Sequence, residues 1–277
     1  MAIPSSLVSD TPHLREKTSK LGSVARACSI FGVTEIILYE DDARRDQRSD
    51  LEVCMEILRF VETPQYLRKR MFRLTPKLKF VGILPPLQTP PHDVPHSIRE
   101  VKAGDFRDGM IVERSRGNLL VDVGLEKAFE CAGDLDVGER VTVRLTSLGE
   151  NPTCKIVEDL TAQPYWGYRV VKAEFRLGEF IDKGKFDLAI GTSRYGSPIA
   201  NVWSGLVDAL KGARQVLVAF GSPRMGLRDI LRQEKMAPED VFDYFVNTVP
   251  NQNVATVRTE EAILISLGVF KLATSIY

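Results

Sequence analysis

The sequence predicts an α/β fold interrupted by a small all-β barrel, and three observations carry that prediction. Apolar runs of strand length recur at 2–8, 33–39, 80–84, 186–190, 215–220 and 243–246, with helix-period segments among them. Five prolines within 85–95 then cut the α/β pattern, and beyond them come short β-type runs punctuated by glycine. Finally, late apolar runs empty into loops of Gly, Ser, Pro and Asn, where open α/β sheets place their ligands.

Bulk composition sets wide bounds. The chain has 277 residues, 44% hydrophobic and 27% charged, as an ordinary soluble globular protein does. Its 37 basic and 37 acidic residues balance, so attraction to phosphate must come from local clustering. Cys28, Cys54, Cys131 and Cys154 stand far apart with no C-x-x-C pair, which argues against a zinc site or a disulfide scaffold. The N-terminus has no basic region followed by an apolar core, and no apolar run reaches membrane-span length. A cytoplasmic protein without a membrane segment is the expectation.

Residues 2–8 read as the first strand. Leu14, Leu21, Val24, Ala25, Cys28 and Phe31 recur at helical spacing, and Gly32 stands where a C-cap glycine belongs. Residues 33–39 form the next strand, which makes strand–helix–strand. Leu51, Cys54, Met55, Leu58 and Val61 mark a second helix, and Thr63-Pro64 reads as an N-cap with proline at N1 of a third. From 63 to 92 there is no acidic residue. Arg68, Lys69, Arg70, Arg73, Lys77 and Lys79 stand there among Tyr66 and Phe72, a pattern that suits either an RNA backbone or a solvated helix face. Residues 80–84 read as a third strand.

After the prolines, runs at 110–113, 118–123, 127–130 and 140–145 alternate with Gly104, Gly109, Gly117, Gly124, Gly133 and Gly138. The phrases Val121-Asp-Val-Gly124 and Val137-Gly-Glu-Arg-Val-Thr-Val143 resemble OB-fold domains of the S1/TRAM kind, which bind single-stranded nucleic acid. A barrel acting as spacer or dimer prop is the other reading. Residues 161–167 read as the return linker, and 168–175 and 186–196 resume α/β character. Ser197-Pro198 reads as a helix start before the face of Ile199, Val202, Trp203, Leu206, Val207 and Leu210. A strand at 215–220, a short helix at 226–235 and a last strand at 243–246 lead to a long apolar C-terminal helix. The division expected is one discontinuous domain of 1–92 and 164–277, with 93–163 inserted.

Several chemistries lack their motif. There is no G-x-G-x-x-G opening the first helix, no Walker A, no H-E-x-x-H and no G-x-S-x-G. His92 and His96 share an i, i+4 spacing, but the prolines around them oppose a helix, so no metal site is expected. What remains are loops after Ile190, Phe220 and Val246. Their glycines allow close backbone approach, and Thr192, Ser193, Ser222, Asn247 and Asn251 add neutral donors and acceptors. With no lysine cluster, they suit an uncharged or zwitterionic ligand bearing adenine and ribose better than a nucleoside triphosphate.

Three segments together resemble the SPOUT (SpoU/TrmD) superfamily of S-adenosylmethionine-dependent RNA methyltransferases: 18–38 with its Phe31-Gly-Val33, 216–227, and 249–267. The forms Gly221-Ser-Pro-x-x-Gly226-Leu227 and Asn247-Thr-Val-Pro-Asn-Gln252 beside an OB-like insert resemble its archaeal and eukaryotic branch. The resemblance implies a SPOUT-type α/β knot with a C-terminal trefoil knot, a homodimer, and S-adenosylmethionine held largely by backbone groups. By position it implies cofactor contacts from Gly191, Thr192, Ser193, Gly196, Phe220, Gly221, Ser222, Pro223, Gly226 and Leu227. It implies further contacts from Asn247, Val249, Pro250, Asn251, Val254, Thr256 and Val257. Arg26 matches the motif-one arginine that supports activation of the RNA nucleophile, acting in some members across the dimer. Two departures stand out: Gly221-Ser222-Pro223 replaces Gly-Asn-Glu, and Thr256-Val257-Arg258 replaces Asn-Val-Ser. The acceptor chemistry therefore differs, ribose and base targets both stay open, and Arg258 becomes a second catalytic candidate beside its alternative of pairing with Glu260 or Glu261. The expected activity is metal-independent methyl transfer to rRNA or tRNA. The alternative is a non-catalytic RNA-binding or assembly protein on the same fold.

Overall fold

In this computed structural model the residues described are 1–92, 95, 97–115, 117–157 and 165–275. The first strand, β1 (Ala2–Pro4), is shorter than the expected 2–8. Pro4 offers no N–H to continue a ladder, and 5–8 tighten into a 3-10 turn whose serines bond elsewhere, Ser5 to Gln47 and Ser6 to Asp41. Helix α1 (Leu14–Phe31) ends as expected at Gly32, whose φ of 75° closes the left-handed cap. Strand β2 (Glu35–Tyr39) follows, then α2 (Arg48–Glu62) and α3 (Gln65–Met71). Pro64 takes the N-cap of α3 rather than N1, and Thr63 is buried instead of capping.

The expected strand at 80–84 is absent; 81–83 form a 3-10 turn with no buried residue. Gly82 sits mid-run and Pro85 follows, so this apolar stretch neither pairs nor buries. Five strands come next: β3 (Phe106–Ser115), β4 (Asn118–Asp122), β5 (Phe129–Ala132), β6 (Arg140–Ser147) and β7 (Thr153–Ile156). The last of these has only Cys154 and Ile156 as apolar residues, too little pattern to be read beforehand. The linker call at 161–164, the insert edges near 93 and 163, and His96 lie outside the described residues.

Strand β8 (Arg169–Lys172) and α4 (Leu177–Lys183) lead to β9 (Leu188–Pro198). Ser197 and Pro198 end that strand rather than start a helix. A 3-10 turn over 199–202 intervenes before α5 (Trp203–Gly212). The remaining elements are β10 (Val216–Ala219), α6 (Leu227–Arg232), α7 (Pro238–Val241), β11 (Tyr244–Asn247) and α8 (Thr259–Ser275).

The chain forms two compact units. One comprises Met1–Arg59, Pro76–Pro85 and the chain from Tyr168 on. Its six-stranded parallel sheet has the order β11-β9-β10-β1-β2-β8. Ala2, Ile37, Leu217 and Ala219 pack from the sheet against Leu177, Leu227, Ile230 and Leu231 from the helices, each larger side chain contributing roughly 1.5–3 kcal/mol by burial. Tyr39 is buried among them and donates its hydroxyl to the Phe220 carbonyl at 2.5 Å. The two thiols of this unit, Cys28 and Cys54, are buried and pushed up to about 12, which removes them as nucleophiles.

The second unit comprises Phe60–Thr75 and Pro86–Gly167. Its strands close into a barrel of order β3-β4-β5-β7-β6, antiparallel except for β5 beside β7. Ile111, Leu119, Val121, Phe129, Val143 and Leu145 fill it. Tyr66 of α3 packs where a Cβ on Gly124 (φ 75°) would stand, 2.2 Å from its ring, and donates its hydroxyl to the Asp108 carbonyl. Arg140 on β6 binds the Glu62 carboxylate at 2.5 and 2.9 Å and Asp108 at 2.5 Å, while Thr142 and Trp166 Nε1 donate to the other Asp108 oxygen.

Candidate active site

Parallel packing of β9, β10 and β11 brings the three expected ligand segments to one edge of the sheet. The first is not a loop. Strand β9 runs through it, and the pairing with β11 jumps from Phe245↔Gly191 to Val246↔Ser197, so that 192–196 bulge out of register. Gly191 lies in the sheet, paired with Ala219 and Phe245, where a Cβ would meet the Phe242 and Phe245 rings at 2.6–2.8 Å. The Thr192 hydroxyl is spent on the Ala219 carbonyl at 2.9 Å. Ser193 accepts from the Tyr195 amide. At Gly196 a Cβ would lie 2.5 Å from the backbone of Val246.

The second segment is a closed turn at the end of β10. Phe220 is core, and Ser222 binds Met225 in both directions: its amide donates to the Met225 carbonyl, and its Oγ accepts from the Met225 amide. Gly221 would collide, as any larger residue, with Met225, Gly226 and Leu227 backbone atoms at 3.0–3.3 Å. Pro223 is half-buried, Gly226 caps α6 and Leu227 is core. The third segment leaves β11 through Asn247, which accepts from the Val249 amide and donates to the Arg194 carbonyl. Arg194 in turn donates to the Ala255 carbonyl at 2.8 Å, and Thr259 donates to the Gly221 carbonyl at 3.2 Å. Pro250, Asn251, Val254 and Thr256 are exposed, Val249 and Val257 half-exposed, and Asn251 turns the chain with φ 58°. Each segment is thus tied to another.

The arginines are placed differently. Arg26 is on the exposed side of α1, the helix packed on α8. Arg258 is exposed immediately before α8; its amide donates to Glu261, while the Glu260 carboxylate faces buried Lys20 at 3.2 Å. Both acids that were to occupy Arg258 are engaged otherwise, and among the described residues no carboxylate pairs with its guanidinium.

The residues of the basic run differ in their contacts. Arg68 turns inward, donating to the Thr63 and Val61 carbonyls and lying 4.8 Å from the Phe60 ring. Arg70 pairs with Asp122, Lys77 with Glu52, and Lys79 lies over Phe80. Lys69 and Arg73 are exposed. Arg68 to Arg73 belong to the barrel unit and Lys77 and Lys79 to the other.

One feature escaped sequence reading. A cleft of about 370 Å³ opens at the carboxyl ends of β1 and β2, bordered by Ser6, Ser9, Asp41, Arg44, Arg45 and Arg224. Asp41 is buried, its Oδ2 accepting from Ser6, yet Oδ1 and the neighbouring Ser9 Oγ have no hydrogen-bond partner. The polar loop at 40–50 was the available signal; its position beside 221–226 was not. Among the described residues no group of three or more His, Cys, Asp or Glu is placed to hold a metal, and no helix is long and apolar enough to cross a membrane.

Comparison with known proteins supplies the class of reaction. Residues 1–270 match the model of a family described as "Putative RNA methyltransferase". A mouse protein named 28S rRNA (uridine-N(3))-methyltransferase is 34% identical over 97% of this chain and 74% of its own length. The human protein of the same name is 33% identical, over 97% and 76%. An uncharacterized protein of Haloarcula marismortui is 35% identical, over 96% and 95%. Matched over nearly its whole length, the chain belongs to this family and is an RNA methyltransferase enzyme.

Proposed function

We propose that this enzyme transfers the methyl group of S-adenosylmethionine to N3 of a uridine in ribosomal RNA, on a SPOUT-type knotted domain acting as a homodimer in the cytoplasm. The observation that carries the target is the 34% identity, over 97% of the chain, to a uridine-N3 methyltransferase. The departures at Pro223 and Arg258 agree with a base target, because they remove the acceptor-side groups of the ribose-modifying relatives that the sequence resembles.

The residues fit the cofactor. Gly196 and Gly221 let backbone segments pack closely where a Cβ would collide, and the tied segments 192–196, 220–227 and 247–257 present neutral groups and backbone. When bound, S-adenosylmethionine supplies a methyl group already activated by its sulfonium, so the reaction needs no metal. The protein's part is to place the uracil in line and to stabilise charge with arginine. The uracil imino proton must also leave. We assign its acceptance to Asp41, because a buried carboxylate oxygen with no donor costs stability and gains its partner when a base enters the adjoining cleft.

For the dimer, Ile30 on α1 and Leu264, Ile265 and Leu272 on α8 leave an apolar face exposed. An OB-type reading of the barrel, with Lys69 and Arg73 open to solvent, supports RNA holding. The test is a methylation assay with labelled cofactor on ribosomal RNA, followed by nucleoside analysis. 3-Methyluridine is expected; a methylated ribose, or cofactor binding without incorporation into any RNA, would sink the proposal. Asp41→Asn should lower kcat at least tenfold while cofactor affinity stays within about twofold.

A further inference from the structure

The barrel has two outward faces of opposite character, and cross-strand register decides which residues share each. On β3 and β6, Phe106 stands directly opposite Arg144, and on β6 and β7 Arg144 stands opposite Lys155. These three alternate with the buried Arg107, Val143, Leu145 and Cys154, so they form one outward row across three strands. Trp166 joins the row: its ring meets Phe106 edge-on at 6.1 Å, and its indole N–H is anchored to Asp108 at 2.9 Å. The Arg144 guanidinium lies 5.9 Å from the Phe106 ring. Arg144 and Lys155 are exposed, and among the described residues no carboxylate pairs with either. The outward positions of β4 and β5 are Asn118, Leu120, Asp122, Glu130 and Ala132. That face carries two acids and no base of its own, and Arg70 is committed to Asp122 there.

We infer that the row Phe106–Arg144–Lys155, with Trp166 beside it, is the surface of the barrel that takes single-stranded RNA, and that the β4–β5 face stays clear of the strand. Paired cations meet successive phosphates, and an anchored indole gives a base a rigid plane to stack on. Because every base has a π-face, this grip is sequence-tolerant and leaves the choice of nucleotide to the other unit. An A-form duplex cannot offer an unstacked base to Trp166, so the single strand is the form bound. The inference rests on the proposed function only for the partner being RNA.

The test uses the full chain and fluorescence anisotropy with 5′-fluorescein-labelled dodecauridylate and the corresponding 12-base-pair duplex. The Arg144→Ala/Lys155→Ala variant is expected to bind the single strand at least about tenfold more weakly and to lose about 1.4 from the slope of log affinity against log salt, two phosphates' worth. Glu130→Lys, on the other face, should stay within about twofold. Stacking is read separately in Trp203→Phe, which leaves Trp166 as the one tryptophan of the two in the chain; its fluorescence should be quenched as dodecauridylate is added. Unchanged affinity in the double variant, a gain of fivefold or more in Glu130→Lys, tighter binding of the duplex, or an unquenched Trp166 would each overturn the assignment. Cofactor titration of the same variants should be unchanged, so a failed methylation assay and a failed RNA surface are told apart.

Discussion

At Gly196 one hydrogen atom separates two backbone segments, since a Cβ would come 2.5 Å from the Val246 carbonyl carbon. Backbone cannot step aside as a flexible side chain can. Gly196→Ala is therefore expected to lower stability by about 1–3 kcal/mol in urea unfolding and to weaken cofactor binding in calorimetric titration. Tyr39 serves the same region from below: Tyr39→Phe leaves the buried Phe220 carbonyl without its donor and should cost about 1–3 kcal/mol by the same measurement. In the barrel unit, His92 accepts from Thr89 at Nδ1 (2.6 Å) and donates from Nε2 to the Val61 carbonyl (3.2 Å). Burial, aided by Arg68 and Arg140, holds its pKa below the ordinary value of 6.5. A pKa depressed on folding means the neutral form stabilises the protein above about pH 6.5, and this is lost as pH falls through the folded value. The melting-temperature advantage of wild type over His92→Gln should accordingly shrink between pH 7 and pH 5.

Among elements, the end of α2, β3 and β6 are joined by an ion cluster. Arg140 of β6 holds both Glu62 and Asp108, and the two acids are 7% and 1% exposed. Taking the arginine away would strand two buried carboxylates, so Arg140→Met should destabilise the protein by about 3–5 kcal/mol. Glu62→Gln in that background should return part of the loss, seen as a recovered urea midpoint. Members of the basic run likewise find their acids at long range. Acid-free sequence from 63 to 92 looks like an open patch, but Lys77 and Arg70 pair with acids at 52 and 122, far away in sequence. At α8, Arg258 is placed by its backbone amide, which donates to Glu261. Arg258→Ala should therefore lower methyl transfer with little change in melting temperature, and equal activity would leave Arg258 without a catalytic role.

For the whole molecule, the apolar face of α1 and α8 is the feature that single-chain packing does not account for. Leu264 and Leu272 lie two turns apart on one helix face and are 48% and 55% exposed. A Leu264→Asp/Leu272→Asp variant is expected to be monomeric in light scattering and inactive if Arg26 acts across the dimer. Arg26→Ala within about twofold of wild-type activity, under about 0.5 kcal/mol of barrier, would leave that arginine a structural part.

By itself the sequence determined the α/β class and the small barrel that interrupts it. The period of the apolar residues, Gly32 at the end of α1, the prolines at 85–95 and the glycine-marked runs of the barrel are local signals, and local signals survive without the fold. Even the apolar runs that lead to the candidate site were legible as strands, because runs ending in Gly, Ser and Pro are distinctive. Only the tertiary structure decided that β9 runs on through the first expected loop, that 80–84 forms no strand, that β7 exists, and that Arg70 and Lys77 are already paired. Each of these depends on a partner distant along the chain: β11 breaking register against 192–196, β8 taking the place beside β2, β6 completing a barrel with β7, and acids answering bases across the fold. Hydrophobic pattern is written residue by residue, whereas register, ion pairing and the cleft at Asp41 exist only once separate segments meet.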